Sequence, residues 1–85
     1  MANSRKRFGK RMNVSGELIR KYREKCNLSR EDLSAKLMLE GIDISAQSIA
    51  NLENNLRTVV DYELCAIANA LNVEVATLLK NYNKK

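Results

Sequence analysis

Ser45-Ala46-Gln47-Ser48-Ile49-Ala50-Asn51-Leu52-Glu53-Asn54 is the stretch on which the reading of this chain turns. Ile49, Leu52 and then Leu56 recur at three- and four-residue steps, so they share one buried stripe of a helix over residues 46–54. Gln47, Ser48, Asn51 and Asn54 fall largely outside that stripe. A helix that needed only to be soluble would show Lys and Glu there. Carboxamides instead carry a donor and an acceptor on one planar group, the equipment that reads adenine through its N6 and N7 edge. The stretch points toward the bases of DNA.

Outward from it, one six-residue pattern occurs three times: an apolar residue, a serine, three variable positions and a second apolar residue. The copies are Val14-Ser15 with Ile19, Leu28-Ser29 with Leu33, and Ile44-Ser45 with Ile49. Serine at a helix N-cap accepts from an orphan amide of the first turn, and the apolar pair staples the entering chain. Three helix starts are thus predicted. The second is the strongest, because Asp32 stands three residues after Ser29, and Glu31 and Asp32 complement the positive end of the helix dipole.

Helix one then runs over 16–26 with Leu18, Ile19 and Tyr22 inward, and helix two over 30–40 with Leu33 and Leu37 inward. Gly41 suits the residue after a helix end, where positive φ is needed. Leu64, Ile67, Ala68 and Leu71 form a one-face stripe of a fourth helix beginning near Asp61, and Val75, Leu78 and Leu79 mark a short last helix over 75–80. No segment alternates with period two for long, so the predicted fold is all-α.

At 85 residues with 45% hydrophobic content, the chain can build one small core. Cys26 and Cys65 lie far apart, with no CxxC and no histidine, so a zinc site lacks ligands and both thiols are expected reduced and partly buried. No metal, cofactor or catalytic residue is expected, because nothing pairs a nucleophile with its base. The absence of a long apolar run and of a leader predicts a cytoplasmic protein without a membrane span.

The net charge of +5 is uneven. Arg5, Lys6, Arg7, Lys10 and Arg11 make residues 1–13 a basic arm expected to be disordered when free, and a short basic tail closes the chain over 81–85 just after Lys80. Between these ends, over residues 14–79, seven bases face ten acids, a net charge of −3. Attraction to a polyanion would come from the ends and a few placed side chains.

Four strings in this order resemble the phage repressor and Cro helix-turn-helix family: Ile19-Arg20-Lys21-Tyr22-Arg23, Leu28-Ser29-Arg30-Glu31-Asp32-Leu33, Ser45 to Asn54, and Leu64-Cys65-Ala66-Ile67-Ala68-Asn69-Ala70-Leu71-Asn72-Val73. The resemblance covers about residues 16–79. It implies a five-helix bundle of the lambda-repressor-like type over residues 14–80, with helix three in the major groove. The family's base-reading places fall on Ala46, Gln47 and Asn51. Gln47 and Asn51 can each bond an adenine, and Ala46 or Ala50 can press on a thymine methyl. Phosphate-contacting places fall on Arg30, Ser45 and Ser48, and on Asn54, Asn55 and Arg57 in the turn after helix three. Asn55 replaces the family's usual glycine there. Arg23 and Glu53 match a structural ion pair joining helix one to the end of helix three.

One departure stands out. Leu33 to Ile49 takes sixteen steps, about five more than the compact pattern, so the turn between helices two and three is extended. The extension either lengthens helix two or loops out. The expected function is a repressor-like regulator with no ligand-sensing domain, bound to double-stranded DNA as a homodimer; Leu78, Leu79 and Tyr82 at the last helix either join the two copies or close the core. The second reading is a protein-binding module of the same shape, antitoxin-like or an accessory factor, which the acidic middle of the chain favours.

Overall fold

The serine signals and apolar stripes correspond to five helices in the computed structural model, which describes residues 11–83. They are α1 (Gly16–Lys25), α2 (Arg30–Leu39), α3 (Ala46–Glu53), α4 (Asp61–Leu71) and α5 (Val75–Leu78), followed by a 3-10 turn over Lys80–Asn83. There is no β-strand among the described residues. The fold is the all-α five-helix bundle. Each helix sends apolar side chains into one centre: Ile19 from α1, Leu33 and Leu37 from α2, Ile49 and Leu52 from α3, Ile67 and Leu71 from α4, and Leu78 from α5. A four-residue helix such as α5 has no stability alone, so Leu78 in the core holds it.

Two of the three predicted caps form as read. The Ser29 hydroxyl accepts the Asp32 amide at 2.9 Å while the Asp32 carboxylate accepts the Ser29 amide at 2.9 Å, a closed capping box. The Ser45 hydroxyl accepts the Ser48 amide at 3.1 Å. Ser15 does not cap. It is buried in helical conformation with no side-chain cap bond, and the Asn13 side chain accepts the Gly16 amide at 2.7 Å instead. Asn13 also donates to the carbonyls of Leu52 (3.1 Å) and Arg57 (2.9 Å), which an amide can do and a serine cannot. The Met12 amide donates to the Asn55 carbonyl at 3.3 Å, so the chain ahead of α1 is laid against the end of α3.

The first four helices stop by one device. Asn27, Gly41, Asn55 and Asn72 have φ of 58°, 82°, 64° and 61°. In each case the residue after it donates back five positions, as in Leu28 to the Arg23 carbonyl (3.2 Å), Ile42 to Leu37 (2.9 Å), Leu56 to Asn51 (2.8 Å) and Val73 to Ala68 (3.0 Å). These are Schellman ends, in which a left-handed residue turns the chain and the following apolar residue can fold back onto the helix. Leu28, Ile42 and Val73 do pack against the core. Leu56 does not: it is 68% exposed, and its place in the buried stripe with Ile49 and Leu52 is corrected, because α3 ends at Glu53 and Asn55 redirects the chain before Leu56.

The extension between α2 and α3 is packed. α2 ends at Leu39, so the helix is not lengthened, and the Schellman turn at Gly41 sends Ile42 onto the core and Ile44 into it. The Ser34 hydroxyl donates to the Ile44 carbonyl at 2.6 Å, tying the connection to the helix it leaves. Cys26 and Cys65 are free, as expected, but exposed rather than partly buried, since Cys26 caps the end of α1 at the surface and Cys65 lies off the inward stripe of α4.

The capping box gives a pH signature. Bonds from the Ser29 amide and hydroxyl hold the Asp32 carboxyl below its ordinary value. A carboxylate whose folded value is depressed contributes stability that is complete above the unfolded range, near about pH 4, and is lost as the pH falls through the lower folded value. Asp32→Asn keeps an acceptor without the titration. Its melting temperature is expected to fall less than that of the wild type between about pH 5 and pH 2.5. Parallel curves would remove Asp32 from the acid response.

Candidate nucleic-acid interface

α3 is held at both ends by chemistry the core does not supply. At its start the Ser45 cap leaves the Ala46 and Gln47 amides at the positive end of the helix, a place that attracts anions. At its end stands Glu53, whose side chain is 0% exposed. The negative end of a helix is unfavourable for a carboxylate by about 0.3–1 kcal/mol, and burial adds to that, so cations are required beside it.

Two arginines supply them. Arg23 Nε donates to Glu53 Oε2 at 2.6 Å and Arg23 Nη2 to Oε1 at 3.1 Å, a bidentate pair from α1 to α3. Arg30 Nε, from the first turn of α2, donates to the same Oε1 at 3.0 Å. The Glu53 hydrogen bonds hold the Arg23 guanidinium above its already high ordinary value against the downward pull of desolvation, and the charges of Glu53 and Glu24 act in the same upward direction. One buried carboxylate therefore locks α1, α2 and α3 together.

With its apolar edge inward and Glu53 anchored, α3 turns the remaining edge to solvent. Gln47 is exposed, and Ala46, Ala50, Asn51 and Ser48 are half-buried beside it. None is packed inside. Gln47 Nε2 donates to Asn51 Oδ1 at 3.2 Å, one turn further along the helix. Arg20, Arg30, Glu31, Ala46, Gln47 and Ala50 line one open cleft where α1, α2 and α3 meet. Arg20 also bonds Glu24 at 3.2 Å, an exposed pair of the kind that contributes little.

The other expected phosphate contacts are placed unevenly. Ser45 lies exposed at the start of α3, with its hydroxyl accepting the cap bond. Asn54 is exposed and Asn55 half-buried, but their amides are committed to the Ala50 and Leu52 carbonyls by the Schellman end of α3, leaving side chains to face outward. Arg30 is 35% exposed with its Nε on Glu53. Arg57 gives Nη2 to Glu63 at 3.0 Å, while its Nη1 is buried and has no partner among the described residues. Glu63 itself also caps α4, accepting the Val60 amide at 3.2 Å. Arg11 meets Glu17 at 3.5 Å across an exposed surface, and Arg5, Lys6, Arg7 and Lys10 lie outside the described residues.

The model of the helix-turn-helix family matches residues 19–78, more than half of the chain. The chain belongs to the helix-turn-helix family. The match opens at Ile19 and closes at Leu78, both fully buried, and takes in every buried apolar residue of the core except Leu18. Within it, α2 and α3 take the places of the two helices for which the family is named, with six residues from Glu40 to Ser45 between them. The family is one of DNA-binding regulatory domains and is not typically enzymatic. No match is found among curated proteins or among solved structures. Among the described residues no helix is long and apolar enough to cross a membrane, and no cluster of His, Cys, Asp or Glu is placed to hold a metal ion.

The sequence puts Gln47 and Asn51 off the buried stripe, where the structure has them, and the resemblance pairs Arg23 with Glu53, as the structure does, but neither reaches Asn13 or the second cation on Glu53. Asn13 has a visible signal, a capping-type residue three before Gly16, which the Ser15 pattern obscures. The bond from Arg30 to Glu53 joins residues 23 apart and has no local signature.

Proposed function

We propose that this domain is a sequence-specific, repressor-like transcriptional regulator that reads the DNA major groove with α3. The carrying observation is the outward amide edge of a helix whose opposite edge is buried and whose end is fixed by Glu53 between two arginines. Gln47 reads bases with Ala46, Ala50 and Asn51 around it, and the exposed Ser45 and Asn54 meet phosphates. Arg30 and Arg57 reach phosphates by exchanging their carboxylate partners. The domain works as a homodimer through α5 and the turn after it, where Val14, Ala76, Leu79, Lys80 and Tyr82 line an apolar groove. The cytoplasm is the compartment that suits such a regulator.

Selection from random duplexes tests this. The expected product is an inverted repeat with half-sites roughly 34 Å apart, as two copies on adjacent turns require. Gln47→Ala is expected to cost about 1–3 kcal/mol at one base pair of each half-site and to leave nonspecific binding nearly intact. The second reading, a protein-binding module, is favoured by Glu24 and Glu31, acids that line the same cleft. Recovery of no motif, together with a tight protein complex, would decide for it.

The basic arm makes a separate contribution in this reading. Deleting residues 1–11 is expected to flatten the dependence of log affinity on log salt by about 0.9 for each phosphate that the arm neutralises. Equal slopes would make the arm a bystander.

A further inference from the structure

The bond between Gln47 and Asn51 changes what α3 can read. We propose that the two side chains form a single reading unit, in which Gln47 contacts one adenine and Asn51 is a positioning residue that orients Gln47. This inference rests on the DNA-reading function proposed above.

An amide nitrogen carries two hydrogens. Gln47 Nε2 gives one to Asn51 Oδ1 at 3.2 Å, which leaves its second N–H and Oε1 for a base. Adenine presents an N6 donor next to an N7 acceptor, which Oε1 and the remaining N–H match as a pair. Guanine presents two acceptors on that edge, so the fixed Oε1 would face O6, acceptor against acceptor. A free glutamine amide turns over and offers both orders. In the observed pairing Asn51 turns its acceptor Oδ1 toward Gln47, which holds the nitrogen of Gln47 toward it and the oxygen outward; Asn51 turned over would present Nδ2 and reverse that order, which the acceptor-only Asn51→Asp variant cannot do.

Which partner steers the other follows from their settings. Gln47 is exposed on a long side chain, whereas Asn51 is half-buried on a shorter one, and its backbone carbonyl is tied to the Leu56 amide at 2.8 Å in the turn that ends α3. The anchored residue orients the freer one. Ala46 and Ala50, small and half-buried beside the pair, leave room for a base edge to approach. Taken separately, the two amides would specify two adenines. Bonded, they specify one.

The test measures affinity for the selected site and for each single-base change, using the wild type, Gln47→Ala, Asn51→Ala, Asn51→Asp and the Gln47/Asn51 double alanine variant, each first shown to melt cooperatively. Asn51→Ala is expected to lose discrimination at the same adenine as Gln47→Ala, by about five- to a hundredfold at most, and the double variant to lose no more than Gln47→Ala alone. Asn51→Asp keeps the acceptor. It is expected to preserve the adenine preference while binding every duplex more weakly, an outcome that a merely structural role for Asn51 would not produce. Loss of preference at a different base pair in Asn51→Ala, or an Asn51→Asp variant as indiscriminate as the alanine, overturns the unit while leaving DNA reading intact. A wild-type chain that selects no motif overturns both.

Discussion

Glu53→Ala is expected to lower stability by about 3–5 kcal/mol, because it leaves a buried guanidinium without its counterion. Arg23 suffers most. Its side chain is only 9% exposed and both of its bonds to α3 go to Glu53, whereas Arg30 is 35% exposed and can turn to water. For a domain of this length each kcal/mol shifts the melting temperature by about 4–8 °C, so a drop of about 12 °C or more is expected in thermal denaturation. Arg30→Ala removes the more exposed partner and is expected to cost about 1 kcal/mol or less. That ordering is the discriminating result. An Arg30 variant as unstable as the Glu53 variant would mean that the node depends on both cations equally, and a Glu53→Ala chain that melts like the wild type would refute the anchoring of α3.

Gly16→Ala is the second large effect, and its sign is decided by two opposed terms. Replacing glycine in a helix by alanine gains roughly 0.5–1 kcal/mol from backbone entropy. Here the added Cβ would stand 2.2 Å from the Leu52 carbonyl oxygen and 3.0 Å from Asn13 Oδ1. Overpacking costs about 1–3 kcal/mol, and more where the neighbour cannot yield. Leu52 is backbone in the last turn of α3, and its carbonyl also accepts the Asn13 side chain at 3.1 Å and the Asn55 amide at 3.1 Å. A side chain could swing aside; this carbonyl cannot move without carrying the end of α3. We expect a net loss of about 3 kcal/mol, read as a lower denaturation midpoint. Neutral or improved stability would show that α1 and α3 can separate at little cost. Because the close approach lies beside Glu53, the variant is also expected to bind DNA more weakly at temperatures where it remains folded.

The two variants touch the same place from opposite sides. α3 is a helix of eight residues, too short to hold its own direction, so its pose comes from what grips its last turn. Arg23 and Arg30 grip it through a carboxylate, Gly16 by allowing close approach, and Asn13 by bonding the Leu52 carbonyl. The amide edge that the proposed function depends on is aimed by these contacts rather than by α3 itself.

Local chemistry was readable where both partners of an interaction lie within one turn. Ser29 with Asp32 and Ser45 with Ser48 are spaced three apart, and a cap at that spacing needs no knowledge of the rest of the chain. Gly41 was legible as a helix end for the same reason, since glycine alone accepts a φ of 82° without strain. Asn27 and Asn72 end α1 and α4 in the same way yet carry a weaker signal, because asparagine tolerates positive φ without requiring it. Leu56 shows the limit of periodicity: its spacing from Leu52 is helical, but the turn at Asn55 breaks the phase before Leu56 can use it.

The order of residues alone therefore determined the helices, most of their ends and the apolar stripes that make one core, since each depends on interactions three to five residues apart. Tertiary structure alone decided that Asn13 rather than Ser15 caps α1, that the long connection before α3 packs inward at Ile44, and that Glu53 takes Arg30 as well as Arg23. The physical reason is distance along the chain. Asn13 meets Leu52 across 39 positions and Arg30 meets Glu53 across 23, and no spacing rule reaches that far until the core has brought the helices together.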